Sequence, residues 1–384
     1  MAINPLRKYP GPKLAAISRL TYLYHTLIGD LPLWIHRLHS KYGDVVRVAP
    51  SELSYAAGDG WKDIYGHVRH GESSAGKDLR FYGPGIAGTA DIIRADDANH
   101  SRYRRIFSNA FSDRALREQE PLIKTYADKL IVTLTHSLSL DATKKIDMVK
   151  LYNFTTFDIM GDLTFGESLG LLEGSEYSAW VEKIFSSLKF VVVTRLSRYY
   201  PFLSDIFNYI MVGTTLEARK THIKYCSQRV DSRIERKEAR SDIWGLVLAE
   251  KNQDQHRLTL GEMYSHSSTF MTAGTETTAT LLSGLTYLLL SNPSKMDKLT
   301  AEIRGAFAED DDITMSALAK LEYLRACLEE GLRIYPPVPS GLPRIVPAEG
   351  RKICGEMVPG KVCTISRMHL RYRIFGYGRM TDDR

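Results

Sequence analysis

Met271-Thr272-Ala273-Gly274-Thr275-Glu276-Thr277-Thr278 lies in the middle of an apolar stretch, residues 261–291, whose period and length predict a helix. A glycine, an acid and four threonines are poor choices for a helix interior, where Leu and Ala are favoured. Threonine hydroxyls can bond back to the carbonyl four residues earlier and distort the helix. The small pair Ala273-Gly274 leaves room for a ligand against the backbone, and Glu276 beside Thr277 adds an acid and a hydroxyl. That is equipment for binding a small gas molecule and relaying protons to it. The same residues also read as a polar patch in a core helix.

Three other groupings carry candidate chemistry. Glu330 and Arg333 are three apart, so on a helix they share a face and can pair. Pro336-Pro337 ends that helix, and a solvated surface pair is the plainer reading. His100 and Arg104 share a helical face and can grip an anionic group, or simply form a basic solvated surface. Gly83-Pro84-Gly85-Ile86-Ala87-Gly88 is a literal GxGxxG. A dinucleotide site needs a strand before it and a helix opening at the third glycine. Lys77 to Tyr82 is a weak strand and no clear βαβ unit follows, so a flexible loop is expected. A phosphate cradle, serving a nucleotide-dependent oxidoreductase, is the alternative.

The elements that must position these groups are mostly helical. Periodicity predicts helices near 31–42, 98–108, 118–138, 148–165, 176–193, 215–238, 261–291, 294–307 and 315–335. Residues 44–50 alternate like a half-buried strand; 1–13 read as extended, 71–98 as loop, and 336–384 as loop with short strands. The 384 residues carry 51 Lys+Arg against 45 Asp+Glu, with 43% hydrophobic and 25% charged residues. Such a composition excludes a disordered, collagen-like or disulfide-scaffold protein. Its mild basicity suits an anionic membrane surface or an acidic partner and is too weak for nucleic acid. Cys226, Cys327, Cys354 and Cys363 form no CxxC clip, so a reducing, intracellular setting is expected. No uncharged apolar run is long enough for a transmembrane helix, and the N-terminus lacks the apolar region of a signal peptide. Asn153-Phe154-Thr155 is a formal glycosylation sequon inside a predicted helix and is discounted. The expected fold class is mainly α, one domain, with a small β component near both ends.

Taken together and in order, the motifs resemble the cytochrome P-450 (haem-thiolate monooxygenase) family, in its fungal secondary-metabolism branch, which includes mycotoxin biosynthesis. The matching runs are KYPGPKLAAISRL, YGDVVRVAPSELSYA, HSRYRRIFSNAFSDRAL, AGTETT and EEGLRIYPPVPSGLPR, within about residues 5–345. The resemblance implies haem b as cofactor, electrons from an NADPH-dependent reductase, dioxygen, and a small apolar substrate. It assigns the oxygen groove to Ala273 and Gly274, proton delivery to Thr277 and Glu276, and a structural pair under the haem to Glu330 and Arg333. It gives the haem propionates to His100, Arg104 and Arg344, with His100 standing where the family often has Trp. Residues 75–95 become the variable loop over the substrate, and 185–215 an access region apolar enough to touch a membrane surface.

The family's haem-binding loop, FxxGxRxCxG, is not found in these 384 residues. Phe375-Gly376-Tyr377-Gly378-Arg379 echoes its Phe and Gly, but no Cys follows, and residues 363–384 read as an atypical tail. Cys363 falls in a strand-like segment, whereas the family's ligand comes from a loop. A single domain spanning 1–384, incomplete at its C-terminus and lacking the axial Cys, is therefore expected. The alternative function is a catalytically dead remnant that at most binds a hydrophobic ligand. The family works at the endoplasmic-reticulum membrane facing the cytosol; without an anchor, a cytoplasmic or peripheral placement is expected.

Overall fold

The computed structural model describes residues 4–67, 73–85, 88–174, 180–181, 194–195, 197–201, 220–236, 240–248 and 258–366. Its axis is a central helix, Leu260–Leu290, opened by a capping box. Thr259 Oγ1 accepts from the Glu262 amide at 3.2 Å, and Glu262 Oε2 accepts from the Thr259 amide at 2.8 Å. The helix Met148–Phe165 lies along it in the most extensive contact between elements, and Gly166, at φ 71°, ends that helix in the left-handed conformation. Together with Asp97–Ser108 and Ile243–Leu248 these helices enclose a core that includes Phe107, Phe154, Phe157, Trp244 and Met271. On another side, Glu322–Ile334 crosses the central helix where Gly331 meets Leu281 and Leu285. Gly284 meets the ring of Tyr335 so closely that a Cβ there would stand 2.4 Å from it.

A five-stranded sheet has the order β1-β2-β7-β4-β3, from β1 (Val45–Ala49), β2 (Glu52–Tyr55), β3 (Gly76–Lys77), β4 (Arg344–Ile345) and β7 (Cys363–Ser366). β2 and β7 run parallel with Glu52 opposite Cys363, which joins the two ends of the described chain. β3 and β4 run antiparallel with Lys77 opposite Arg344. A separate hairpin pairs β5 (Arg351–Ile353) with β6 (Glu356–Val358).

Most predicted helices are present, at Leu31–Tyr42, Asp97–Ser108, Asp113–Leu140, Met148–Phe165, Leu260–Leu290 and Pro293–Ala306. Residues 220–235 are helical within the predicted 215–238, whereas most of 176–193 and 185–215 lies outside the described residues. Four expectations change. The predicted helix 315–335 is two, Met315–Leu318 and Glu322–Ile334, because Glu302 from a neighbouring helix caps the second by accepting from the Tyr323 and Leu324 amides, both at 2.8 Å. The loop 71–98 holds β3 and a short helix, Leu79–Tyr82, capped by Asp78. The N-terminal segment is not simply extended: turns close at Asn4–Arg7 and Leu6–Tyr9, and helices Lys13–Ile17 and Leu20–Leu27 follow. These helices expose Leu14, Ile17, Leu20, Tyr24 and Leu27. Finally, the central helix runs unbroken through its threonines. The discounted sequon is buried in its helix, with Asn153 Nδ2 donating to the Val149 carbonyl at 2.9 Å.

Candidate functional site

The middle of the central helix satisfies its hydroxyls internally. Thr272 donates to the Ser268 carbonyl at 2.9 Å, Thr275 to that of Met271 at 2.6 Å, and Thr277 to that of Ala273 at 2.6 Å. Ala273, more than three turns inside the helix Leu260–Leu290, is exposed and Thr277 half-buried, so this stripe is not covered by the described residues. Gly274 points elsewhere: a Cβ there would stand 2.6 Å from Met160 Sδ, so the glycine serves the crossing with Met148–Phe165. The space beside the backbone is therefore left by Ala273. Glu276, half-buried, has an Oε2 with no hydrogen-bond partner, and burial lifts its pKa above the usual carboxylate value.

A second set gathers cations. His100 and Arg104 come from Asp97–Ser108, Arg344 from β4 and Lys77 from β3. Burial, then Lys77, Arg104 and Arg344, hold the His100 pKa below 6.5. Burial and Arg344 push Lys77 down to about 8. Among the described residues no side-chain hydrogen bond or ion pair reaches His100, Arg104 or Arg344, and Arg344 Nε is buried without a partner. Lys77 Nζ donates to the Ile92 carbonyl at 3.0 Å. Like charges placed opposite each other across β3 and β4 repel; Asp91, Asp96 and Asp97 act on Lys77, and Asp97 on His100, without an ion pair among the described residues, so the cluster suits an added anion. Sequence reading found His100, Arg104 and Arg344; Lys77 was missed because only the strand register brings it to them.

These groups fit the carboxylate edge of a haem. The four cysteines do not fit its axial thiolate. Burial raises all four thiols: Cys226 to about 12, Cys327 and Cys354 less so, and Cys363 well above its ordinary value. Cys363 is wholly buried in β7 opposite Glu52, Cys327 packs with Leu285, Leu289 and Leu299, and Cys354 sits in the β5–β6 turn. Thiolates form beside cations in accessible places, and none of these is one.

Glu330 and Arg333 form a two-pronged pair at 2.6 and 2.7 Å, partly buried rather than on a solvated surface. The GxGxxG segment follows the short helix Leu79–Tyr82 instead of a strand, and the next helix opens only at Asp97. It lacks the strand–turn–helix frame of a phosphate cradle.

A network that sequence reading missed binds the segment after those glycines to the first half of the central helix. Ser265 donates to the Thr89 carbonyl at 2.9 Å, and Thr269 to Asp91 Oδ2 at 2.9 Å. Asp91, wholly buried, also accepts from the Ile93 and Arg94 amides and pairs with the Arg94 guanidinium. His266 donates from Nδ1 to the Glu262 carbonyl, 2.7 Å, and accepts the Ile92 N–H at Nε2, 3.1 Å. Glu262 pairs with Arg102 and accepts from the Tyr103 hydroxyl at 2.7 Å.

The family model described as Cytochrome P450 matches residues 19–361. The chain is 48% identical over 360 residues to the cytochrome P450 monooxygenase efuB of Hormonema carpetanum, covering 94% of this chain and 71% of that protein. It is 43% identical over 355 residues to cytochrome P450 monooxygenase FUM2 of Gibberella moniliformis, covering 92% and 75%. It is 44% identical over 360 residues to cytochrome P450 monooxygenase AMT3 of Alternaria alternata, covering 93% and 73%.

Proposed function

The chain belongs to the cytochrome P450 family, an oxidoreductase family of monooxygenases with haem as cofactor, and on that premise we propose that it oxidises an apolar small molecule in fungal secondary metabolism. Bound haem supplies the redox centre for activating dioxygen. The protein's own side chains do the rest. His100, Arg104, Arg344 and Lys77 hold the two haem carboxylates. Ala273 leaves room for dioxygen beside the central helix. Thr277 fixes its hydroxyl proton on the Ala273 carbonyl and offers its lone pairs outward. Glu276, its pKa lifted by burial, keeps a proton closer to neutral pH than an ordinary glutamate and can pass it on. Glu330 and Arg333 hold the end of their helix in register. Electrons come from an NADPH-dependent reductase. The same reading takes 1–384 as one domain, and Leu14, Ile17, Leu20, Tyr24 and Leu27 as a peripheral membrane contact. Among the described residues no helix is long and apolar enough to cross a membrane.

The observation that carries this reading is the cation cluster whose His100, Arg104 and Arg344 side chains meet no hydrogen-bond or ion-pair partner among the described residues. It is tested by titrating the 384-residue protein with haem b and following the Soret band. Stoichiometric uptake that weakens in Arg344→Met supports it; no uptake overturns it. A second reading has the four protonated thiols in its favour: a binder of a hydrophobic ligand that performs no oxygen chemistry. The reduced, carbon-monoxide-treated protein separates the two. A thiolate-type Soret band excludes the second reading; haem uptake without that band supports it for these 384 residues.

A further inference from the structure

A guanidinium taken out of water normally brings a carboxylate with it. Around residues 197–199 two arginines obey. Arg19 pairs with Glu52, both buried, and lies over the Tyr199 ring, 4.1 Å from Cζ to centroid. Arg80 pairs with Asp78 at 3.0 Å, and the Tyr199 hydroxyl donates to the same carboxylate at 2.9 Å. Arg195 sits among the same rings with its Cζ 3.6 Å from the Phe81 centroid. Yet among the described residues no hydrogen bond or ion pair reaches its guanidinium, and its Nε is buried without a partner. Its electrostatic neighbours are the phenols of Tyr22, Tyr199 and Tyr82, with no acid among them, and burial pulls its pKa down. Tyr82 has Arg344 of the cation cluster and Arg195 among its electrostatic neighbours. Arg195 is thus one phenol away from the proposed haem edge.

We propose that Arg195 receives the carboxylate of an acidic, otherwise apolar substrate, whose body extends toward the Ala273–Thr277 face. The proposal rests on the monooxygenase reading for that second half only. The planar fork of Arg195, backed by Phe81, suits a monoanionic carboxylate held in two-pronged fashion. Among the described residues the nearby acids Glu52 and Asp78 are already committed to Arg19 and Arg80, which leaves the charge of Arg195 to a ligand. The same carboxylate chemistry is available from a haem propionate, so the test has an arm for each source.

Dodecanoate and methyl dodecanoate are titrated calorimetrically into the haem-loaded wild type, Arg195→Met and Arg195→Lys. A charge-assisted pair predicts roughly 10- to 100-fold tighter binding of the acid by wild type. Arg195→Met should bring the acid to the level of the ester and leave the ester unchanged, with Arg195→Lys retaining most of the preference. Arg195→Gln replaces the Met variant if that does not fold. Equal binding of acid and ester by wild type overturns the proposal, as does a preference that survives in Arg195→Met. Haem uptake is followed in parallel and should be equal in all variants. A loss of haem uptake in Arg195→Met with an unchanged acid preference gives the guanidinium to a propionate and overturns the proposal. Acid preference in a wild type that takes up no haem sinks the monooxygenase reading and leaves the carboxylate site standing.

Discussion

The same two helices, Asp97–Ser108 and Leu260–Leu290, each present two kinds of polar residue. Arg102, Tyr103, Glu262, His266 and Thr269 are closed into one network with Asp91 and the main chain of residues 89–94. Among the described residues the side chains of His100, Arg104, Glu276 and Thr277 are left open, with no hydrogen bond or ion pair beyond their own helix. In the first set every charge has a partner, so the groups fasten a segment and position a helix. In the second the missing partners mark the place where the proposed ligand would enter. Partner accounting, rather than polarity, separates scaffold from site.

The largest expected effect is on the closed set. Asp91→Ala should cost about 4 kcal/mol in urea unfolding, since it strands Arg94 and removes the acceptor of Thr269. A loss under about 1 kcal/mol would dissolve the distinction between the sets. Acid should act next on two histidines, His266 of this network and His222, which bonds the central helix from another side. His222, half-buried with Nε2 2.5 Å from Ser268 of the central helix, has its pKa lowered by burial from 6.5 to about 4, and His266 is shifted in the same direction. The unfolded chain therefore binds protons that the folded one refuses. Stability is full above about pH 6.5 and falls as pH drops toward 4, by about 3 kcal/mol for His222 alone. His222→Gln should flatten that slope in denaturation curves taken between those pH values.

Matched threonines sharpen the comparison. Thr269→Ala should cost about 1–2 kcal/mol, because a buried carboxylate loses a donor. Thr277→Ala should leave stability within about 0.5 kcal/mol yet lower product formed per NADPH consumed by roughly tenfold. Unchanged coupling removes Thr277 from proton delivery. The smallest effect is at Lys77. Lys77→Met relieves repulsion with Arg344 and should stabilise the haem-free protein by up to about 1 kcal/mol, while haem titration shows severalfold weaker uptake.

What could be read from the sequence follows the range of the forces involved. Met148–Phe165 and the central helix are legible because their apolar period is local. The Glu330–Arg333 pair is legible because it spans one helical turn. Lys77 and Arg195 are not, since the register of two-residue strands and a stack on Phe81 depend on residues far away in the chain. Gly274 shows the opposite error: its smallness is visible in sequence, but the helix that uses it is not. The apolar surface suited to a bilayer was expected at 185–215, most of which lies outside the described residues; the exposed apolar side chains at 14–27 went unread because amphipathicity in such short helices is too brief to register as a period.

Gly284 links the two rods that the proposed chemistry requires. With no side chain to hold it off, the Tyr335 ring rests on the central helix just past the Glu330–Arg333 pair. The hydroxyl of Thr277 and the stapled arginine thus belong to one stiff body, and any methyl group added at that contact acts as a wedge on both at once.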